Sequence, residues 1–182
     1  MNVVRRETNL TIEQFLAWED QQEGRHEFDG RAIIAMTGGS RNHQRIVINL
    51  MRILDQHLDS ALYEAVPELR IKVGGKIRYP DVTVCAGTIA GSTRTLHDAV
   101  FIFEVLSKDT ANVDRRQKRA EYTTLPSLRQ YILVDQDRPA VTIIERVDGA
   151  WTETQAAQDV VVLQDAGVVL SFPEIYANVR FA

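Results

Sequence analysis

Apolar and polar positions change their period several times along the chain, and those changes divide it into elements. Thr11-Ile12-Glu13-Gln14 has the spacing of a capping box, a threonine followed three positions later by a glutamine. It predicts a short helix ending at about Glu19 or Asp20, with Phe15 and Trp18, three apart, on its buried face. Arg25 to Met36 reads as a hairpin around Asp29-Gly30, a tight-turn pair. Gly38-Gly39-Ser40 breaks the strand, and Ser40 can cap a long helix. In that helix Ile46, Val47, Leu50, Met51, Leu54 and Leu58 recur at helical spacing, while Arg45, Arg52 and Asp55 take other faces. Such a helix packs on a sheet.

From Ala61 the pattern is that of strands. Leu62–Val66 and Leu69–Val73 flank Pro67, Gly74-Gly75 makes a turn, and Ile77 to Cys85 reads as one further strand. Ala86 to His97, rich in Gly, Thr and Ser, reads as a surface loop. Val100 to Leu106 is apolar except for Glu104, the signature of a central strand covered on both faces. A helix is predicted from Asn112 to about Thr124, ended by Pro126, and a strand from Leu128 to Val134. Strand, helix, strand implies a parallel pair with a right-handed crossover. Ala140–Val147, Asp148-Gly149 and Trp151–Gln155 form a hairpin, Val160 to Phe172 adds short strands, and Pro173 to Tyr176 a helical turn. The class is mixed α/β. With 182 residues, no repeat and no linker-like stretch, one domain is expected.

Composition narrows the function classes. Apolar residues make up 45% and charged ones 25%, an ordinary globular balance. The net charge of -4 argues against a protein coated in nucleic acid but permits local basic faces, such as Arg41 with Arg45, or Arg115, Arg116, Lys118 and Arg119. The single cysteine, Cys85, excludes an internal disulfide and a cysteine-built zinc site, and its strand pattern makes it a small buried apolar residue. No apolar stretch is long enough to span a bilayer, and Met1 to Glu7 lacks the apolar region of a signal peptide, so a cytoplasmic address is expected.

Two carboxylates interrupt the apolar pattern. Asp81 follows Pro80 and opens Val82-Thr83-Val84, and Glu104 sits inside Val100–Leu106. A carboxylate among Val, Ile, Leu and Phe is costly to bury unless something positive meets it. On neighbouring strands, about 4.8 Å apart, two carboxylates can share one divalent cation that prefers hard oxygen ligands. The competing reading has Asp81 capping a turn and Glu104 paired with an arginine. Lys118 falls on a helical stripe with Ala111, Arg115, Tyr122 and Leu125, where an ammonium beside the sheet could polarise a water or stabilise phosphoryl charge. Helix pattern alone slightly favours a solvated face with Asp114 and Lys118 as an i, i+4 pair. Glu27 is a third candidate carboxylate, or a strand-end salt bridge. His43, in the first turn of the long helix, could meet a phosphate or serve structure, and the four histidines show no metal-ligand spacing. Gly38-Gly39 is not followed by Gly-Lys-Ser/Thr, and Ser107 has no Gly-x-Ser-x-Gly around it, which removes a phosphate-binding loop and a hydrolase elbow.

Taken in order, Glu27 with Asp29-Gly30, Met36, His43-Gln44, Pro80-Asp81, Glu104-Val105-Leu106-Ser107, Asp114, Lys118, Tyr122 and Tyr131-Ile132-Leu133-Val134-Asp135 resemble the Uma-two family, a branch of the PD-(D/E)XK nuclease superfamily. The resemblance runs from Thr11 to Tyr176 and rests on order and spacing. It implies a restriction-endonuclease-like mixed sheet flanked by helices, with Asp81 and Glu104 as acidic metal ligands and Glu27 as an accessory acid. Lysine is expected two positions after Glu104, where Leu106 stands, and the resemblance implies that Lys118 takes its place from the following helix. The activity implied is hydrolysis of phosphodiester bonds in nucleic acid, DNA foremost. Mg²⁺ or Mn²⁺ would sit on Asp81, Glu104 and the Val105 carbonyl, with Arg115, Arg116, Arg119, Arg41, His43 and Arg45 on the nucleic-acid backbone. The alternative is an inactive protein on the same scaffold that binds DNA or a protein. A homodimer is expected by analogy with nucleases that pair to cut two strands.

Overall fold

The computed structural model describes residues 5–36, 38–107 and 113–181, with only the backbone of Asp114. In chain order the elements are β1 (Arg5–Glu7), α1 (Ile12–Glu19), β2 (His26–Phe28), β3 (Ala32–Ala35), α2 (Arg41–His57), β4 (Tyr63–Pro67), β5 (Arg70–Val73), β6 (Lys76–Arg78), β7 (Val82–Ala86), β8 (Thr95–Leu96) and β9 (Phe101–Leu106). A π-helical stretch, Val113–Lys118, runs into α3 (Arg119–Tyr122). Then come β10 (Gln130–Asp135), β11 (Val141–Val147), β12 (Ala150–Gln155), β13 (Val160–Leu163), β14 (Val168–Ser171) and α4 (Phe172–Ile175). The fold is a mixed α+β arrangement of two six-stranded sheets, ordered β1-β3-β2-β6-β5-β8 and β12-β11-β10-β9-β7-β4, with β13 and β14 as a separate hairpin. Among the described residues no helix is long and apolar enough to cross a membrane.

Local chemistry sets the ends of these elements. Thr11 and Gln14 close the capping box of α1 from both sides. Asp29 Oδ1 accepts the N–H groups of Arg31 and Ala32, and Gly30 takes φ +89°, so the β2–β3 turn needs both residues. Ser40 holds extended backbone and its Oγ accepts the His43 N–H at 3.1 Å, which starts α2.

The second sheet is covered on both faces. Along β9, Phe101, Phe103 and Val105 face Ile46, Val47, Leu50, Ile53 and Leu54 of α2, together with Val161, Leu163, Val168 and Leu170 of the small hairpin. Ile102 and Leu106 face the other way, onto Tyr122, Leu125, Leu128 and the β5 residues Ile71 and Val73. Strand alternation therefore sends Glu104 to the α3 face. β9 and β10 are parallel, as strand-helix-strand requires, while β7 and β9 are antiparallel.

Three expectations need correction. Ile77 to Cys85 is not one strand: β6 belongs to the first sheet and β7 to the second. Pro80 has no N–H to offer a ladder, so the chain leaves one sheet there and joins the other. The loop from Ala86 to His97 contains β8, which pairs in parallel with β5 through Arg70–Thr95 and Ile71–Leu96. The helix expected from Asn112 begins outside the described residues, and its described first part is π-helical.

Leu50 is fully buried between α2 and the second sheet. Leu50→Ala is expected to lower the unfolding free energy by about 2–5 kcal/mol, read from urea denaturation at unchanged m-value.

Candidate active site

Asp81 stands where the chain passes between the sheets. One step beyond the Val82–Phe103 pair it stands at the height of Glu104, and its carboxylate lies between β9 and the start of α2. Asp81 Oδ2 accepts the Val105 N–H at 2.6 Å, and Oδ1 lies 3.2 Å from His43 Nε2. The N–H and C=O of one strand residue point to the same edge, so the Val105 carbonyl faces the side of β9 on which Asp81 lies.

Glu104 is held from α3 and the stretch before it. Its Oε1 accepts from Lys118 Nζ at 2.9 Å and from the Tyr122 hydroxyl at 3.1 Å. Lys118 Nζ also lies 3.2 Å from Glu27 Oε1, so one ammonium joins an acid of the first sheet to an acid of the second. Lys118 is only 7% exposed, which overturns the solvated-face reading of that stripe. The physical reason is the pair of buried acids, Glu104 and Glu27, that the ammonium meets there. Lys118 and Tyr122, four residues apart, then both face Glu104.

Behind these groups lies an ion network with Arg78 at its centre. The Arg78 side chain is fully buried. Its Nη1 meets Glu27 Oε2 at 2.9 Å, while Nε and Nη2 form a fork onto Glu121 at 2.7 and 2.8 Å. Lys76 Nζ reaches Glu121 Oε1 at 2.7 Å, and the Tyr79 N–H lies 3.4 Å from Glu27 Oε1. Glu27 thus makes the salt bridge its plainer reading expected, but a buried one. Glu121 follows Lys118 by three residues, so tying it to β6 fixes which way the helix faces. Sequence reading did not single out Glu121. The available signal was Arg78 between Ile77 and Tyr79, a buried-pattern cation that requires a carboxylate.

Proton affinities follow from this packing. Burial alone would raise the Glu121 carboxyl, but the Arg78 bonds and charge, with Lys76, outweigh it and hold the group below its ordinary 4.5. Burial, then the Glu104 charge, pushes the Tyr122 hydroxyl well above its ordinary range, so it stays a donor. Burial works against the Arg78 charge, yet Glu121 and Glu27 raise its proton affinity above the usual value. Cys85 is buried as expected, and burial pushes its thiol up to about 12.

The arginines lie on the two helical segments that carry His43 and Lys118. Arg41 is exposed and its Nη1 reaches the Asn178 carbonyl at 3.4 Å, and Arg45 is half-buried. Arg116 is exposed, Arg115 is half-buried, and Arg119 is paired with Glu153. Among the described residues no three His, Cys, Asp or Glu side chains converge closely enough to cage a metal unaided. Mg²⁺ does not require that, since one or two carboxylates hold it while it keeps several waters. Asp81 and Glu104 carry hard oxygens of the kind such an ion takes.

Arg78→Met leaves Glu27 and Glu121 without their buried cation and is expected to cost about 3–5 kcal/mol of stability, measured by urea unfolding at neutral pH. Because the Glu121 carboxyl is depressed in the folded state, its stabilisation is present above 4.5 and is lost as pH falls through the lower folded value. Urea midpoints between pH 7 and 3 should fall less steeply in Glu121→Gln than in the parent protein.

Comparison with known proteins places this geometry among relatives. The family model Uma2, described as "putative restriction endonuclease", matches residues 12–174. Two uncharacterised Synechocystis proteins are similar: slr1290, 32% identical over 178 residues and covering 94% of each chain, and sll1609, 33% identical over 162 residues, covering 85% of this chain and 92% of its own. A crystal structure described as a putative nuclease from Anabaena variabilis superposes with a TM-score of 0.76 over 92% of this chain and 97% of that one, at 17% identity.

Proposed function

This chain belongs to the Uma2 family, and from that premise we propose that the acidic cluster where its two sheets meet hydrolyses phosphodiester bonds of nucleic acid, DNA foremost, with a divalent metal. One observation carries the reading. A buried ammonium, Lys118 Nζ, lies within 3.2 Å of both Glu104 and Glu27, while Asp81 stands at the height of Glu104.

In this reading Asp81, Glu104 and the Val105 carbonyl hold Mg²⁺ or Mn²⁺. When bound, such an ion lowers the pKa of a ligated water and polarises the scissile phosphate. Lys118 stands beside that position and either orients the water or offsets the negative charge that grows on the phosphoryl oxygens. Glu27 takes the ammonium from the other side and is itself fixed by Arg78, so Lys118 is aimed before any ligand arrives. Tyr122 donates to Glu104 Oε1, holding that carboxylate in one orientation. Arg115, Arg116, Arg41 and Arg45 contact backbone phosphates without reading sequence. Arg119 joins them only by releasing Glu153, and His43 is turned toward Asp81.

A second reading has support in the same contacts. Lys118 neutralises Glu104 and Glu27 in the absence of any ion, as it would in a non-catalytic protein that binds DNA or a protein partner. Metal binding separates the two. A catalytic site should show a Mn²⁺-dependent rise in Tm that Asp81→Asn abolishes, whereas an inert scaffold should show none.

The activity test uses supercoiled plasmid and single-stranded DNA with Mg²⁺ or Mn²⁺. Asp81→Asn, Glu104→Gln and Lys118→Met are each expected to lower the cleavage rate by about 100-fold or more. Equal cleavage by all four proteins would identify a contaminant and end this reading.

A further inference from the structure

Gly38-Gly39-Ser40 is a glycine motif that the site chemistry leaves unused, and the structure gives it a purpose. A Cβ built on Gly39 would lie 2.6 Å from His43 Nδ1, 2.8 Å from Cγ and 3.2 Å from Cβ. Ser40 Oγ holds the His43 N–H in the first turn of α2, which sets the place of Cβ. A side chain at position 39 could therefore be avoided only by turning the imidazole to another χ1 rotamer, away from where it now stands. In its present rotamer the imidazole fills the space that a side chain at position 39 would take. From that place its Nε2 is 3.2 Å from Asp81 Oδ1, with the two side chains only 12% and 13% exposed.

Asp81 is thereby held at both oxygens: Oδ2 by the Val105 N–H and Oδ1 by His43. We propose that His43 is a positioning residue for Asp81, and that Gly39 is the residue that makes room for it. Where the proposed function has Asp81 as a metal ligand, this inference rests on that reading and deepens it. His43 fixes which lone pairs of Asp81 face outward, as the outer partners of metal-binding groups generally do. This differs from the phosphate contact expected of a histidine at a helix start. The imidazole is turned inward to a carboxylate, and the exposed cation of that turn is Arg41.

The test compares the parent protein with Gly39→Ala, His43→Ala, the double variant and His43→Gln, whose amide nitrogen can stand close to the position of Nε2. Mn²⁺ affinity is read by titration calorimetry. Gly39→Ala and His43→Ala are each expected to weaken Mn²⁺ binding by about 10- to 100-fold. The double variant should be no weaker than His43→Ala alone, because without the imidazole the added methyl meets only the Cβ that remains at position 43, 3.2 Å away, and His43→Gln should recover most of the affinity. Parent-like Mn²⁺ affinity in His43→Ala, with binding still abolished by Asp81→Asn, would overturn the inference and leave the nuclease reading intact.

A metal-free measurement decides the geometry separately. In urea unfolding, the combined midpoint shift of His43→Ala and Asp81→Asn should be smaller than the sum of the single shifts, and likewise for Gly39→Ala with His43→Ala. Additive shifts in both pairs would refute the positioning role. Failure of the parent protein to bind Mn²⁺ would overturn the metal reading, and these two cycles would then settle the role of His43 alone.

Discussion

Burying negative charge is the constraint on which this structure depends. Glu27, Glu104 and Glu121 are all nearly inaccessible, and carboxylates in such surroundings persist only with cations and hydrogen bonds about them. Arg78 and Lys118 supply that compensation from inside the protein, and Lys76 adds to it from the edge. Each of the two buried cations touches two acids. Neither can be removed without stranding carboxylates in a medium that cannot solvate them, so the network specifies how β2, β6, β9 and the helix before β10 come together.

The charges of this network also bear on how an ion could enter. Three buried glutamates face three cations, and the fourth acid, Asp81, faces His43 and a backbone N–H. Asp81 and Glu104 would therefore meet an incoming ion with partners already on their oxygens, which the ion would have to share or displace.

Much of the fold was legible because local chemistry and period agreed. Asp29-Gly30, the Thr11–Gln14 capping box, Ser40 before an amphipathic run, and Asp148-Gly149 each mark an element boundary that the structure reproduces within a residue or two. The run from Ile77 to Cys85 was harder, because its apolar residues continue through Pro80 while the chain changes sheets. Pro80 was the signal, since a proline demotes an apparent central strand. At the site, Asp81 and Glu104 stood out as acids in apolar runs. Arg78 obeyed the same logic with the opposite sign, but Glu121 was hidden in a charged helix where an acid looks ordinary. Helical spacing put Lys118 on the stripe of Tyr122, but among Arg115, Arg116 and Arg119 one more cation looks ordinary, and pattern alone leaned slightly to a solvated face.

The crossing at Pro80 has one more consequence. Glu27 and Arg78 belong to one sheet, Glu104 to the other, and the ammonium of Lys118 spans the seam like a clasp. The sheets cannot drift apart there without splitting its two partners. Any molecule that grips both sides of the seam would therefore tighten the body of the protein as it binds, and loosening of the first sheet would be felt at once in the placement of Lys118.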